Sequence, residues 1–468
     1  IHTTLLSVLS MAGPYLFALG LLVFLPALLE IVMNADLVDG NQGVPLWLKA
    51  LALAVACCAP GLFISWRLGV NEFSMHHFYR NRLVRAYLGA SRPKVEREKT
   101  ANPFTGFDTT DDEKLARFTV DNYYYGPYPI INTALNASQV ADFSRQDRKA
   151  ESFVFSPLYC GFDFSKVRSS VNSMNKSYDY GFRRTEEYAY PGGPAIGTAM
   201  AISGAAANPN QGYHSSAGTA FLLTVFNVQL GWWIGNPRKS LWQMSDPPLG
   251  LSYLFFNLVG QSSTRSEFVC LSDGGHFDNM GLYELVRRRC RLIILSDAEQ
   301  DESFSCEGLA NAIRRCRVDF GVEIEIKINE IKNREGRYSK EHFAIGKINY
   351  PKSTDGKPGV LLYIKSSLSG NEPVDVTEYA AKNTDFPHQT TGDQFFDESQ
   401  FESYRKLGMH IGQEAIEKAM TNAEVKTLLN IPIAAESSKE KEEQGVESQM
   451  KELFAKVGEF FKKNGDNP

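Results

Sequence analysis

Residues 268–297 read F-V-C-L-S-D-G-G-H-F-D-N-M-G-L-Y-E-L-V-R-R-R-C-R-L-I-I-L-S-D, and this stretch decides the fold prediction. The apolar, β-rich run Phe268–Ser272 predicts a buried strand. A helical spacing of leucine and valine begins near Met280. A second apolar strand, Leu292–Leu295, leads to Asp297. Strand, loop, helix and strand in this order predict a βαβ unit.

The first of these strands is followed directly by Asp273, Gly274 and Gly275. In sheets built from βαβ units, ligands bind beyond the carboxyl ends of the strands. The two glycines allow a tight turn and a close approach of the backbone to a ligand. The same tripeptide also occurs as an ordinary turn. Its position after a strand makes Asp273 a candidate catalytic residue.

The stretch from Asp273 to Asn279 has the form D-G-G-x-x-x-N, and a helix and a strand ending in S-D follow it. It resembles the second half of patatin-like and cytosolic phospholipase A catalytic domains, and the resemblance extends over much of residues 70–410. The resemblance implies an α/β fold, the C-terminal portion of a patatin-like three-layer sheet domain, over residues 67–433. It also implies a Ser–Asp dyad in which Asp273 is catalytic.

The sequence departs from that family pattern in three places. It contains no G-x-S-x-G around a nucleophile and no glycine-rich oxyanion motif, and Gly281 stands where the family often has proline. The resemblance therefore implies that this chain supplies the aspartate of the dyad. A missing N-terminal half would carry the nucleophilic serine. We expect the chain alone to be inactive.

Ser203 is the alternative nucleophile, in a segment rich in small residues. It lacks the glycines two residues before and after it that a strained nucleophile elbow requires. Patatin-like domains have a similar segment, with a serine and then a proline, that lines the site, and Ala201–Pro209 resembles it. Ser203 is therefore expected to bind substrate together with Gly274 and Gly275 rather than to attack it.

Composition excludes several classes of function. The chain has 468 residues and a net charge of −5, which argues against a nucleic-acid partner. Seven cysteines without a C-x-x-C pair argue against a disulfide framework or a zinc site. Asp297, Glu299 and Asp301 have the alternate spacing of a calcium loop, but the glycine and glutamate that should follow are absent. We expect no metal and no cofactor.

Two uncharged runs, Thr3–Leu29 and Ala50–Trp66, predict a membrane hairpin of two transmembrane helices over residues 1–66. Two buried core helices are the alternative. The loop Asn34–Gly43 has only acidic charges, whereas the chain after Trp66 is rich in arginine and lysine. The positive-inside rule then predicts a multi-pass membrane protein with its soluble domain on the cytoplasmic side.

Further elements are predicted along the rest of the chain. Residues 73–92 form a basic amphipathic pattern, suited either to anionic headgroups or to solvent. The apolar stretch 219–237 predicts a core helix, with an acyl-chain wall as the alternative. Residues 434–468 read as a charged linker and an amphipathic helix for a membrane surface or a partner groove. Predicted strands are Val322–Ile328, Phe343–Tyr350 and Val360–Lys365, and predicted helices are Leu309–Val318 and Phe401–Met420.

These patterns lead to one functional hypothesis and one alternative. The first is a membrane-anchored lipid acyl hydrolase, similar to phospholipases and lysophospholipases, acting on a membrane phospholipid or another acyl ester. The alternative is a non-catalytic, membrane-associated module that binds lipid or a partner. An upstream G-x-S-x-G would favour the enzyme.

Overall fold

The computed structural model describes residues 46–421, together with residues 20, 23, 24, 26, 27 and 30. The span has gaps at 68, 73, 138–147, 163–180, 210–222, 225–228, 259–262, 333–336, 352–356, 391 and 394. The predicted tail elements at 434–468 lie outside the described residues, as does most of the run Thr3–Leu29. The chain divides into two compact units, Ile1–Phe277 and Asp278–Pro468.

The first unit combines helices with an antiparallel sheet. Its described α-helices are α1 (Leu46–Arg67), α2 (His76–Leu83), α3 (Lys94–Thr100), α4 (Ile196–Ser203) and α5 (Gly250–Leu258). Its strands are β1 (Ile131–Asn136), β2 (Ala150–Phe155), β3 (Tyr159–Phe162), β4 (Phe182–Arg184), β5 (Trp232–Gly235) and β6 (Phe268–Ser272). They form one sheet in the order β4-β3-β2-β1-β6-β5, in which every neighbouring pair is antiparallel.

Strand β6 lies inside this sheet, and each of its residues is buried. Leu271 is the partner of Leu135 in β1 on one side and of Trp232 in β5 on the other. The same three side chains belong to one apolar core. A continuous apolar run is what a strand buried on both faces requires, so the sequence of β6 fits its position.

The second unit has its own sheet and its own core. Its strands are β7 (Leu292–Asp297), β8 (Glu323–Ile326), β9 (Phe343–Asn349) and β10 (Gly359–Lys365), in the order β7-β10-β9-β8. Its helices are α6 (Leu282–Arg287), α7 (Glu307–Phe320), α8 (Val374–Lys382) and α9 (Glu398–Thr421). The predicted strands and helices of this region are confirmed to within a few residues. Both units therefore have the predicted α/β content.

The predicted βαβ unit is wrong, although its two strands and its helix are present. Strand β6 is antiparallel to both β1 and β5, so each of its edges is already paired. Strand β7 is instead parallel to β10, in the sheet of the second unit. Local sequence periodicity predicted each element but carried no information about which strand it would pair with.

The predicted membrane hairpin over residues 1–66 is also wrong. The run Ala50–Trp66 forms most of α1, yet within the part of the chain that the structure describes no helix is long and apolar enough to span a bilayer. Its uncharged stretch is shorter than the about 20 residues that a span requires. The prediction of a multi-pass membrane protein with its soluble domain on the cytoplasmic side is corrected with it.

Two other predicted segments differ from the sequence pattern in detail. In the basic segment 73–92, helix α2 is followed by a π-helical turn, Val84–Leu88, and a short 3-10 turn. In the apolar segment 219–237, the prediction of core burial is confirmed for Trp232–Gly235, where all four residues are buried. These four residues form strand β5 and not a helix.

Strand β5 is at the edge of its sheet, and a side chain covers that edge. The Asn71 amide nitrogen donates to the backbone oxygen of Trp233 at 2.8 Å. The backbone N–H of Trp233 donates back to the Asn71 side-chain oxygen at 2.9 Å. Two residues further, the Gly235 N–H donates to the backbone oxygen of Met244 at 3.0 Å. The outward backbone groups of the strand are thus bonded within the chain.

Candidate active site

Asp273 directly follows strand β6 and precedes a short 3-10 turn, Gly274–His276. The backbone N–H of Asp273 donates to the backbone oxygen of Ala205 at 3.3 Å, just beyond the end of α4. Its carboxylate accepts the N–H of Gly275 at 2.7 Å. The strand, the end of α4 and the turn together fix the position of this half-buried carboxylate.

Burial raises the pKa of Asp273, and the hydrogen bond from Gly275 opposes this shift only in part. The phenol of Tyr79, on α2, lies close enough to interact electrostatically with the same carboxylate. Burial and the nearby charge of Asp273 raise the pKa of Tyr79. No sequence pattern pointed to Tyr79, because it lies in the basic segment far upstream and only the packing of α2 on α4 brings it close.

Two glycines near Asp273 lie in close packing, Gly274 against backbone and Gly204 against a side chain. A Cβ on Gly274 would lie 2.8 Å from the backbone oxygen of Asn132 in β1. A Cβ on Gly204, at the end of α4, would lie 2.5 Å from the hydroxyl of Tyr79. Gly274, expected to bind substrate, therefore also allows the turn to lie directly against β1.

Ser203 lies at the end of α4, and the structure brings it close to the D-G-G turn. Its hydroxyl donates to the backbone oxygen of Asn132 at 2.8 Å, the same oxygen that borders Gly274. Asn132 thus connects two of the predicted substrate-binding residues. Because its proton is directed to a carbonyl oxygen, Ser203 contacts the wall of the site in this conformation.

His276 supports the turn from behind. Its Nδ1 lies 2.8 Å from the hydroxyl of Ser272, and that hydroxyl is also 3.0 Å from the side-chain oxygen of Asn136. These groups are buried and join β6 to β1. Asn279, which shares the motif with Asp273, belongs to the second unit, where its amide donates to Glu299.

Asp297 ends strand β7 in a very different setting. Its Oδ2 lies 3.0 Å from the ammonium nitrogen of Lys365, and both side chains are fully buried. Asp301 lies 3.2 Å from the same nitrogen, and the Tyr363 hydroxyl also donates to Asp297. Burial alone would lower the pKa of Lys365, but the two carboxylates reverse this and raise it. Two of the three carboxylates with the spacing of a calcium loop, Asp297 and Asp301, therefore pair with an internal lysine.

A cavity of about 500 Å³ lies in the first unit and is lined by three arginines. Arg82 and Arg85 come from the segment that begins with α2, and Arg97 comes from α3. Asp111 also lines it, but its carboxylate is paired with Arg92 at 2.6 Å. The cavity therefore presents mostly positive charge.

No family model matches this chain, and no curated protein matches its sequence. Among solved structures, the chain is similar to human GIVD cytosolic phospholipase A2, with 16% sequence identity and a TM-score of 0.41. The likeness covers 75% of this chain and 52% of that chain, so this chain spans about half the length of that protein. A function is therefore inferred from the geometry of the site.

Proposed function

We propose that this chain carries the general base of a serine acyl hydrolase that acts on lipid esters. One observation carries the proposal: a half-buried carboxylate, Asp273, ends a buried strand, and burial raises its pKa. An aspartate with the ordinary pKa of 3.8 is a weak base near neutrality. Desolvation is the change that suits this carboxylate to accept a proton.

The reaction uses Asp273 twice. A serine Oγ bonds to the ester carbonyl carbon while its proton passes to an Asp273 oxygen. When the tetrahedral intermediate collapses, the bond to the alcohol breaks and the alcohol takes that proton. A water molecule then attacks the acyl-enzyme, gives its proton to Asp273, and the serine leaves with it.

The nucleophile is assigned to a segment with a G-x-S-x-G motif, which this sequence does not contain. Ser203 is assigned to the wall of the site because its hydroxyl donates to Asn132. Gly275, which is partly exposed, is assigned to the surface that the substrate approaches, and Gly274, which is buried against Asn132, is assigned to the wall behind it. The close contact of Gly274 with Asn132 supports a backbone wall at this point.

We favour anionic phospholipids as the substrate class. The cavity lined by Arg82, Arg85 and Arg97 supports this, since arginine binds phosphate through paired N–H donors. We expect hydrolysis of anionic phospholipids to fall as ionic strength rises, because exposed charges are then screened.

The test uses Asp273→Asn in protein that also carries the G-x-S-x-G segment. This change keeps the shape and removes the proton acceptor, so ester hydrolysis should fall by at least roughly 10²-fold. Asp246→Asn is the matched control, since Asp246 is also half-buried and burial raises its pKa to about 6. Asp278 and Asp297 are poor controls because both are buried and bonded within the second unit.

Near-normal turnover by Asp273→Asn, with loss in Asp246→Asn, would overturn the assignment of the base. A second arm treats the chain itself with a fluorophosphonate probe. Ser203 should stay unlabelled, and Ser203→Ala should change turnover of the completed enzyme less than Asp273→Asn does. Substrate-protected labelling of Ser203 would contradict its place in the wall.

A non-catalytic module that binds lipid or a partner is the second candidate. Three exposed aromatic side chains favour it: Phe104, Tyr123 and Tyr125 are 97%, 84% and 78% exposed. Aromatic rings of this kind suit the lipid–water interface. Loss of vesicle sedimentation after their replacement by alanine, with no hydrolysis in any completed protein, would favour this candidate over the enzyme.

A further inference from the structure

Two histidines and a glutamate converge in the second unit. His342 directly precedes strand β9, and its side chain is 1% exposed. His410 and Glu414 lie one turn apart on α9 and so share a face of that helix. Oε2 of Glu414 lies 3.6 Å from Nε2 of His342 and 3.9 Å from Nε2 of His410. The three side chains can thus direct one donor atom each towards a common point.

Hydrogen bonds orient the ring of His342. The hydroxyl of Ser367 donates to the backbone oxygen of Lys365 at 3.2 Å and lies 2.8 Å from Nδ1 of His342. Because that proton is used, Nδ1–H is the donor, and the neutral ring keeps its lone pair on Nε2. The Ser369 hydroxyl lies 3.0 Å from this Nε2, but its single proton goes to the Asn371 oxygen at 2.6 Å, which is its shortest contact, and Glu372 Oε1 is a further acceptor at 3.3 Å.

The two carboxylate oxygens of Glu414 have different surroundings. Its Oε1 lies 2.6 Å from the ammonium nitrogen of Lys418. Its Oε2 is buried and has no hydrogen-bond partner among the residues that the structure describes. An anionic oxygen and the lone pair of His342 Nε2 therefore face each other with no proton between them. A cation placed between them would remove that repulsion.

We propose that His342, His410 and Glu414 bind a divalent transition-metal ion, for which Zn²⁺ is the representative ion. Two imidazoles and one carboxylate are a ligand set that zinc takes. With bonds of about 2.0–2.2 Å, tetrahedral ligand atoms lie about 3.3–3.6 Å apart. The separation of 3.6 Å already suits such a site, that of 3.9 Å needs to close by a few tenths of an ångström, and all three donor atoms lie within 4.8 Å of one another.

Binding exchanges one hydrogen bond for a metal bond. Nε2 of His410 lies 2.9 Å from the Asn371 side-chain oxygen and would turn its lone pair to the ion. The Asn371 oxygen or a water molecule then completes four ligands. The ion would join α9 to the segment before β9, so its binding energy would stabilise the second unit.

The test titrates the full chain, after treatment with EDTA and removal of the chelator, with Co²⁺ as the spectroscopic probe. We expect visible d–d absorption that saturates at one Co²⁺ per chain and is displaced by Zn²⁺. His410→Ala and Glu414→Gln should each weaken binding at least about tenfold, because loss of even a residue that supports a ligand has that effect. Both side chains are partly exposed, at 22% and 20%, so the variants should fold.

Glu417→Gln is the matched control, since Glu417 is exposed on the same helix and undergoes the same chemical change. It should bind Co²⁺ as the unaltered chain does. Melting curves in EDTA check that each variant is folded, and Zn²⁺ should raise the melting temperature of the unaltered chain and of Glu417→Gln alone. No saturable site in the unaltered chain, or equal affinity in Glu414→Gln, would overturn the proposal.

Discussion

The sequence L-S-D ends an apolar run twice, at 271–273 and at 295–297, and the two aspartates have opposite surroundings. Asp297 is fully buried beside Lys365, with further contacts to Tyr363. Asp273 is half-buried, and the charge of its carboxylate is met by the N–H of Gly275. The same tripeptide thus forms an internal ion pair in one unit and a base of raised pKa in the other.

The contrast shows that the partner, and not the motif, decides the chemistry of a buried carboxylate. A nearby ammonium stabilises the charged form, whereas burial without a counter-charge favours the protonated form. A carboxylate whose charge is already compensated has little tendency to take a proton from a serine hydroxyl. The surroundings of Asp273 and of Asp297 can be tested separately.

Lys365→Met should have the largest effect on this comparison. It leaves the charge of Asp297 buried without its ammonium, which costs about 3–5 kcal/mol of unfolding free energy. Urea denaturation of the full chain measures the loss. Lys382→Met is the control, because the Lys382–Glu378 pair is exposed and should contribute less than about 1 kcal/mol. Equal stability of the two variants would show that the buried pair does not hold the second unit together.

Gly274→Ala should have a smaller effect, at the other aspartate. The new Cβ would meet the backbone oxygen of Asn132, which belongs to a strand and cannot move away freely. Such overpacking costs about 1–3 kcal/mol. Gly408→Ala is the same substitution in helix α9, where a Cβ meets nothing within 4 Å, and it should stabilise slightly. Thermal melting of both variants checks the contrast, and a neutral result at Gly274 would mean that the turn relaxes.

The smallest expected effect is the pH dependence of stability at Asp273. Burial raises its pKa in the folded protein above the ordinary value of 3.8. The folded state therefore binds this proton more tightly, so the contribution to stability is complete below pH 3.8 and is lost as pH rises through the folded pKa. Asp273→Asn removes that loss.

The melting temperature of Asp273→Asn should exceed that of the unaltered chain at pH 7, and the difference should shrink towards pH 3.5. Differential scanning calorimetry across this range is the measurement. A gain that grows as pH falls would have the wrong sign and would show that the Asp273 carboxylate is stabilised in its charged form.

The local elements could be predicted from the sequence because each depends on its own residues. The strands Phe268–Ser272 and Val360–Lys365 and the helix at Phe401–Met420 follow from runs and periodicities that are continuous in the chain. The pairing of β6 with β1 and β5 depends on partners more than 30 residues away, and no local pattern encodes it. The mistaken βαβ unit had this cause.

The candidate site was predictable to the same extent. Asp273 and its glycines are adjacent in sequence, whereas Tyr79 and Asn132 reach them only through packing. The proposed metal ligand His342 is likewise far in sequence from His410 and Glu414. The expectation of no metal came from cysteine spacing and from the incomplete calcium loop, and such local patterns say nothing about histidine and carboxylate ligands drawn from separate elements.

The side-chain amide of Asn71 covers the edge strand β5, and this affects whether the protein aggregates in concentrated solution. The free edge of a sheet is a template on which strands of other molecules can add and begin fibrils. At Trp233 the backbone N–H and C=O are already bonded to the side-chain amide of Asn71, which offers one donor and one acceptor as a neighbouring strand would. Asn71 thus blocks strand addition at this edge. Replacement of Asn71 by a residue without an amide should therefore make the protein aggregate more readily.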